Sequence, residues 1–97
     1  MSSESQRSIN DWADKEFGTN YNYSAARERA LEEMVEFEAA SDDLEAIDEA
    51  ADIVIALFRF ASVCGFDLMN IVDLKMEINR ERKWTAHGDG TGHHIKP

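Results

Sequence analysis

Carboxylates recur at helical spacing in two neighbouring segments of this chain. Glu33 and Glu36 are three residues apart, and so are Glu49 and Asp52; residues at that spacing lie on one face of a helix. If two helices pack through these faces, four carboxylates converge, and their repulsion is unfavourable unless a cation lies between them. Hard divalent cations prefer such oxygen ligands. The pattern therefore predicts a site for one or more hard divalent cations, and Glu32 is adjacent to it.

Four helices are predicted to position these side chains, from the spacing of apolar residues and from capping residues. They span about residues 9–16, 24–40, 43–64 and 68–84. The predicted caps are Ser24 for the second helix, the turn at 41–43 for the third and Asp67 for the fourth. The helical domain is expected to cover residues 9–84, between a disordered segment at 1–8 and a tail rich in glycine and histidine at 85–97. The fold class is therefore all-α.

The candidate ligands differ from the other acids in their position relative to the apolar faces. Glu33 and Glu36 border the apolar stripe of the second predicted helix, and Asp52 borders that of the third. Glu49 lies inside the apolar arc of the third helix, where an unpaired carboxylate is costly to bury. Because bases are scarce nearby, a metal site explains this placement better than a buried salt bridge.

The charge distribution supports a cation site and excludes some partners. The net charge is −10, and residues 28–52 hold eleven acids against one base, Arg29, whereas residues 53–97 hold five acids and six bases. A nucleic-acid polymer is not expected as a partner, because phosphate backbones require clustered lysine and arginine. An alternative is that the acids only solubilise the surface of a helical interaction module without catalysis.

A second stripe of polar residues lies on the last predicted helix. Lys75, Asn79 and Arg82 are spaced to share one face, and Lys83 and Trp84 adjoin it. Lysine and arginine donors beside an amide suit phosphate oxygens and the polar edge of a ligand. Most such stripes are simply solvated, and that interpretation stays open.

The N-terminal aromatic residues are candidates for contact with a flat ring. Trp12 and Phe17 precede Gly18 on a segment whose apolar stripe is too thin to fold alone, so it must dock on another element. Docking onto the core is one interpretation; stacking on a planar ligand is the other. His94, in the tail, is counted with the candidate substrate contacts.

Length and composition predict a soluble cytoplasmic protein that associates with itself. A chain of 97 residues buries a small core as a monomer, and oligomerisation commonly completes such cores. Cys64 is the only cysteine, so no intrachain disulfide can form. No signal peptide is recognised at the N-terminus, and the apolar stretch at 53–60 is too short to span a bilayer and is interrupted by Arg59.

The two acidic steps together resemble the signature of the MazG-like all-α NTP pyrophosphatases, in which Glu-Glu-x-x-Glu is followed by Glu-x-x-Asp on the next helix. The segment from Lys75 to Trp84 is similar to the final-helix element of that family, and the segment from Trp12 to Gly18 resembles an N-terminal segment of some members. The resemblance covers about residues 9–94 and corresponds to a single-domain form.

This resemblance implies hydrolysis of a nucleoside triphosphate to the monophosphate and pyrophosphate with Mg²⁺ as the cofactor and Mn²⁺ as its substitute. It also implies a bundle of four to five helices completed as a dimer or a dimer of dimers. Among substrates a purine deoxynucleotide, dGTP or dATP, is favoured, because two aromatic rings can enclose a large base. A hydrolase of a non-nucleotide diphosphate is the remaining alternative.

The resemblance also assigns roles by motif position. The implied metal ligands are Glu33, Glu36, Glu49 and Asp52. The candidates to orient or deprotonate the attacking water are Glu32, Glu33 and Glu36. The implied substrate contacts are Lys75, Asn79, Arg82, Lys83, Trp84, Trp12 and Phe17.

Overall fold

The computed structural model describes residues 3–96 and contains four α-helices followed by a short β-hairpin. The helices are α1 (Gln6–Phe17), α2 (Tyr23–Glu38), α3 (Asp43–Val63) and α4 (Leu68–Glu81), and the strands are β1 (Trp84–Ala86) and β2 (Gly92–His94). The prediction of an all-α bundle is confirmed, with the hairpin as an addition. Among the described residues no helix combines the length and the apolar character needed to cross a membrane.

A polar side chain caps the start of every helix by accepting a backbone N–H from the first turn. The caps are Ser5, Asn22, Asp42 and Asp67. Such caps satisfy donors that would otherwise lack a partner and stabilise a helix by about 1 kcal/mol each. The predicted caps of α3 and α4 are confirmed, whereas α2 begins after Asn22 and not after Ser24.

The first helix starts earlier than the sequence predicts. Ser5 and Ser8 form a reciprocal capping box, so α1 begins at Gln6. The Gln6 side chain then fastens the helix to the rest of the fold: it donates to Ser62 Oγ at 3.0 Å and accepts from the Leu68 backbone at 2.8 Å. The prediction of disorder at 1–8 is therefore wrong for residues 6–8, and residues 1–2 lie outside the described chain.

The C-terminal part of the chain also differs from the prediction. Helix α4 ends at Glu81 rather than Trp84, because Arg82 is its C-cap and has an extended backbone. Trp84 instead opens β1 and pairs antiparallel with His94 in β2, and its indole N–H donates to the Asn79 carbonyl at 2.7 Å. The predicted tail at 85–97 thus contains a hairpin over 84–94.

Helix α3 is the centre of the packing, with α1 and α2 against it and α4 near its C-terminal end. The buried apolar residues are small: Ala13, Ala26, Ala56 and Ala61. These alanines let the helices approach closely, but they supply little apolar area. The Cα radius of gyration is 16.1 Å, against about 13 Å for a compact domain of this length. The isolated chain is therefore an open arrangement with one closely packed region, where α1, α2 and α3 meet.

Candidate active site

Three of the four predicted metal ligands converge where α2 packs against α3. One carboxylate oxygen each from Glu33, Glu36 and Glu49 lies within 4.8 Å of the others. Glu33 is almost completely buried, Glu49 is partly buried and Glu36 is exposed. We call these three residues the carboxylate cluster. It extends from the protein interior to the surface, as a site reached by a ligand from solvent requires.

The hydrogen bonding of the cluster is incomplete in a way that suits a cation. Arg29 Nη2 pairs with Glu33 Oε1 at 2.6 Å, but Glu33 Oε2 and Glu49 Oε2 are buried and have no hydrogen-bond partner. Buried acceptors without partners are costly. Hard carboxylate oxygens are the ligands that Mg²⁺ and Mn²⁺ prefer, so the donor set fits these ions.

The electrostatics of Glu49 point to the same conclusion. Burial, together with hydrogen bonding to and repulsion from the neighbouring Glu36 and Glu33 carboxylates, raises the pKa of the Glu49 carboxyl to about 7. A carboxyl with this pKa is only partly ionised near neutral pH, and a cation beside it favours the ionised form. A cation that binds at the cluster would therefore displace the remaining proton of Glu49.

Two of the predicted residues lie beside the cluster and not within it. Asp52 is one turn beyond Glu49 on α3 and lines the adjoining cavity, but it is outside the group of three converging oxygens. Glu32 is exposed, with its carboxylate 3.5 Å from Arg29 Nη1. Their assignments as a metal ligand and a catalytic group stay predictions.

A cavity of about 590 Å³ opens next to the cluster, between α1, α3 and the loop that leads into α2. Its lining includes Trp12 and Phe17, the two aromatic residues predicted to contact a base, and their rings meet edge to face at 5.4 Å. Asp52 and Arg29 form the end nearest the carboxylate cluster. A single space thus joins charged residues at one end to aromatic residues at the other.

Arg59 and Tyr21 also line this cavity, and of these two Arg59 was not assigned to the site from sequence. Arg59 is buried with its guanidinium over the Tyr21 ring at 4.1 Å, and it donates to the Gly18 carbonyl at 2.7 Å. The Tyr21 hydroxyl donates to the Ala56 carbonyl at 3.2 Å. Burial raises the pKa of the Tyr21 phenol, and the Arg59 charge partly opposes that effect. The sequence does mark Arg59 as unusual, because this charged residue interrupts an apolar run of α3.

The stripe of polar residues predicted on the last helix does not reach the cavity within one chain. Lys75, Arg82, Lys83 and Trp84 are exposed, and none of them lines the cavity next to the cluster. The prediction that Lys75, Asn79 and Arg82 share a helical face is wrong for Arg82, which follows the last helical residue of α4.

The remaining predicted contacts lie close to the hairpin. Asn79 directs its side-chain amide toward Met76 Sδ at 3.8 Å, and His94 packs edge to face against Trp84 at 5.8 Å. Their assignment to substrate stays a prediction.

Comparison with known proteins identifies the family. Residues 5–97 match the family model described as dATP/dGTP pyrophosphohydrolase. The chain belongs to this family. A curated relative, the dATP/dGTP diphosphohydrolase of Cyanophage S-2L, is 34% identical over 67 residues; the match covers 69% of this chain and 63% of the relative. The chain therefore aligns with somewhat less than two thirds of that relative's length.

Comparison with a solved structure shows that the likeness includes the fold. It is the Cyanophage S-2L MazG-like pyrophosphohydrolase bound to dGDP and three catalytic Mn²⁺ ions per active site. The TM-score is 0.77 at 27% identity, over 94% of this chain and 93% of that one. The resemblance to MazG-like pyrophosphatases seen in the sequence is thereby confirmed.

Proposed function

We propose that this protein hydrolyses a purine deoxynucleoside triphosphate, dGTP or dATP, to the monophosphate and pyrophosphate with Mg²⁺ or Mn²⁺. The observation that carries the proposal is the carboxylate cluster, with its buried unpartnered oxygens beside an aromatic cavity. The family match supports the reaction class. The Cyanophage S-2L structure, which holds dGDP and Mn²⁺, supports both the metal and the purine.

Glu33, Glu36 and Glu49 would hold the metal, with Asp52 as a further ligand on the side of the cavity. When bound, divalent ions neutralise the charge of a triphosphate and lower the pKa of a coordinated water. Arg29 holds Glu33 in place through the 2.6 Å ion pair. This pairing fixes the orientation of the buried carboxylate, so its second oxygen is free for a ligand.

A carboxylate that orients or deprotonates the attacking water must be close to the cluster and ionised at neutral pH. Glu32, Glu33 and Glu36 are the candidates. Among them we favour Glu32 as the base, because it does not belong to the carboxylate cluster that would hold the metal. Its carboxylate is exposed beside Arg29. Retention of activity in Glu32→Gln would transfer this role to Glu36.

We also propose that the active protein is a homodimer or homotetramer. Large apolar side chains are exposed on the helices, among them Leu44 at 80%, Ile47 at 68% and Leu74 at 56%. Apolar surfaces of this extent typically mark interfaces. In such an assembly Lys75 and Arg82 of a second copy would reach the phosphates and stabilise charge on the leaving pyrophosphate.

The proposal is tested with a panel of dNTPs and NTPs in millimolar Mg²⁺ or Mn²⁺, followed by identification of the phosphate products. Glu49→Gln and Asp52→Asn should abolish pyrophosphate release while the helices stay folded by circular dichroism. Asp48→Asn, which removes an exposed acid from the same helix, is the matched control and should retain activity. Light scattering gives the oligomeric state.

Two results would redirect the assignment. If divalent ions neither raise the melting temperature nor support hydrolysis of any nucleotide, the acidic interaction module is favoured, because a ligand of the folded state should stabilise it. If metal binds but only non-nucleotide diphosphates are cleaved, the same site serves another substrate class.

A further inference from the structure

One face of α3 runs from the carboxylate cluster along the floor of the cavity. Glu49, Asp52, Ala56 and Arg59 follow one another at intervals of three, four and three residues, so they share that face. Asp52 and Arg59 are separated by about 10 Å along the helix at 1.5 Å per residue. Ala56 between them is buried and small. This face therefore has carboxylates at one end, a flat apolar middle and an arginine at the other end.

The spacing matches the parts of a nucleotide. Phosphates belong with the metal at the carboxylate end, and a planar base fits the apolar middle of the cavity, beside the Trp12 and Phe17 rings that line it, since aromatic side chains stack on bases. A base in that position has its outer edge toward Arg59. Arg59, which lines the far end of the cavity, is then the residue that contacts the edge of the base.

The local contacts of Arg59 fix the guanidinium and still leave donors unused. Nη2 donates to the Gly18 carbonyl at 2.7 Å and lies 3.7 Å from the Asp14 carboxylate, while Tyr21 supports the planar face. Nε is buried and has no hydrogen-bond partner. Within the described residues Nη1 makes no hydrogen bond either. Because Nε is inaccessible from the cavity, the N–H groups left for a ligand are those of Nη1 and the second one of Nη2, which together form an immobilised donor edge in the cavity wall.

We propose that Arg59 reads the O6 and N7 edge of guanine and makes dGTP the preferred substrate over dATP. This inference rests on the proposed function and adds the identity of the base to it. Guanine presents two acceptors on this edge, O6 and N7, which suit a donor-only guanidinium. Adenine presents only one acceptor on this edge, N7. Its N6 amino group is a donor, and Arg59 offers no acceptor to it.

The neighbouring acid does not reverse this preference. Asp14 is the carboxylate closest to Arg59, and it could in principle accept from an adenine amino group. Its oxygens are already engaged by Arg59 at 3.7 Å and by the Asn10 amide at 3.3 Å. Asn10 Oδ1 is a buried acceptor without a partner, but neither Asn10 nor Asp14 lines the cavity, whereas Arg59 does.

The first test uses the unmodified protein and four substrates. Discrimination through a bidentate arginine contact corresponds to roughly 5- to 150-fold, so kcat/KM for dGTP should exceed that for dATP within that range. Replacing N7 of guanine by carbon, in 7-deaza-dGTP, should cost roughly tenfold, since it removes one acceptor from the pair. The same change in 7-deaza-dATP should cost less.

The second test uses Arg59→Lys, which keeps the charge beside Asp14 but loses the paired donors. The dGTP/dATP ratio should fall and the penalty for 7-deaza-dGTP should become smaller, because a lysine ammonium can still donate to O6 or N7 but not as a fixed pair. Arg7→Lys makes the same chemical change on an exposed residue of α1 and should leave both ratios unchanged. If Arg59 were only structural, the variant would lower both activities equally and keep the ratio, which would overturn the inference.

The outcomes separate this inference from the proposed function. Hydrolysis of dGTP and dATP with equal kcat/KM and no 7-deaza effect refutes the role of Arg59 and leaves the pyrophosphohydrolase assignment intact. Hydrolysis of neither refutes both. If Arg59→Lys does not fold, the substrate series on the unmodified protein decides, because a 7-deaza-dGTP rate equal to that of dGTP excludes the N7 contact.

Discussion

Metal binding to the carboxylate cluster should be coupled to the loss of one proton near neutral pH. Glu49 has a pKa of about 7 in the metal-free protein, because it is buried beside Glu36 and Glu33. A metal ligand must be ionised, so Mg²⁺ or Mn²⁺ competes with the Glu49 proton. The perturbation that tests this is a change of pH from 6 to 8, with Glu49→Gln as the variant that has no proton to lose.

The magnitude follows from the position of that pKa. With a midpoint near 7, Glu49 is about one-tenth ionised at pH 6, half ionised at pH 7 and nine-tenths ionised at pH 8. The apparent affinity for the metal should therefore rise about tenfold from pH 6 to pH 8. The number of protons released per binding event should fall from about 0.9 to about 0.1 over the same interval.

The stability of the metal-free protein should change in the opposite direction. A carboxyl whose pKa is raised on folding contributes stability that is fully present below its unfolded value, about 4.5, and is lost as the pH rises through about 7. Without metal, the melting temperature of the unmodified protein should therefore decline relative to Glu49→Gln between pH 5 and 8. Metal at ten times its dissociation constant adds about 1.4 kcal/mol, or about 6–11 °C for a domain of this size.

Isothermal titration calorimetry in two buffers of different ionisation enthalpy measures both the affinity and the proton count. Protein concentration must be held constant, because association also shifts the melting temperature. His93→Gln is the control for a change away from the site, since His93 and its neighbour His87 lie in the hairpin and outside the carboxylate cluster. An affinity that does not change between pH 6 and 8, with no proton released at pH 6, would refute the coupling.

Three further predictions concern single residues. Glu33→Gln removes the buried charge that Arg29 pairs with and should lower kcat by more than about 100-fold with loss of metal-dependent stabilisation, measured as pyrophosphate release and thermal shift. Asn22→Ala removes the N-cap of α2 and should cost about 1 kcal/mol in urea unfolding, with activity per folded molecule unchanged. Gly18→Ala places a side chain at φ +84° and should cost about 1–3 kcal/mol in the same assay, a result that Gly18→Ser should share.

The helices of this fold are predictable from local sequence, and its hairpin is not. Asp42 and Asp67 cap α3 and α4 as their position before apolar periodic segments indicates. The start of α1 was missed because Ser8 completes its capping box in place of the usual Glu or Gln. The hairpin strands are three residues long and carry no run of β-branched residues, and Trp84 is held by a contact with the end of α4.

The same distinction holds for the site. Glu33, Glu36 and Glu49 could be found from sequence, because each lies at or inside an apolar face and its helical angle can be calculated. Arg59 has the same anomaly, a charge inside an apolar run, but its partners are the Gly18 carbonyl and the Tyr21 ring. These belong to a loop whose path no periodicity specifies. Side chains positioned by helix–helix packing could therefore be predicted from sequence, and those positioned by loop contacts could not.

Helix α3 gives a reason why metal and base recognition should be separable in this protein. Glu49 and Arg59 lie on one rigid element, so their separation is set by the helical rise and does not depend on loop movements. We therefore expect a substitution at Glu49 to weaken charge neutralisation by the metal and to lower kcat for every substrate alike. We expect a substitution at Arg59 to alter the preference among bases and to leave the Mg²⁺ dependence unchanged. The contrary result would be that Arg59→Lys also alters the Mg²⁺ concentration needed for half-maximal rate. The two ends of the face would then be coupled through movement of α1 or α2 against α3, and α3 alone would not fix the relation between the metal and the base.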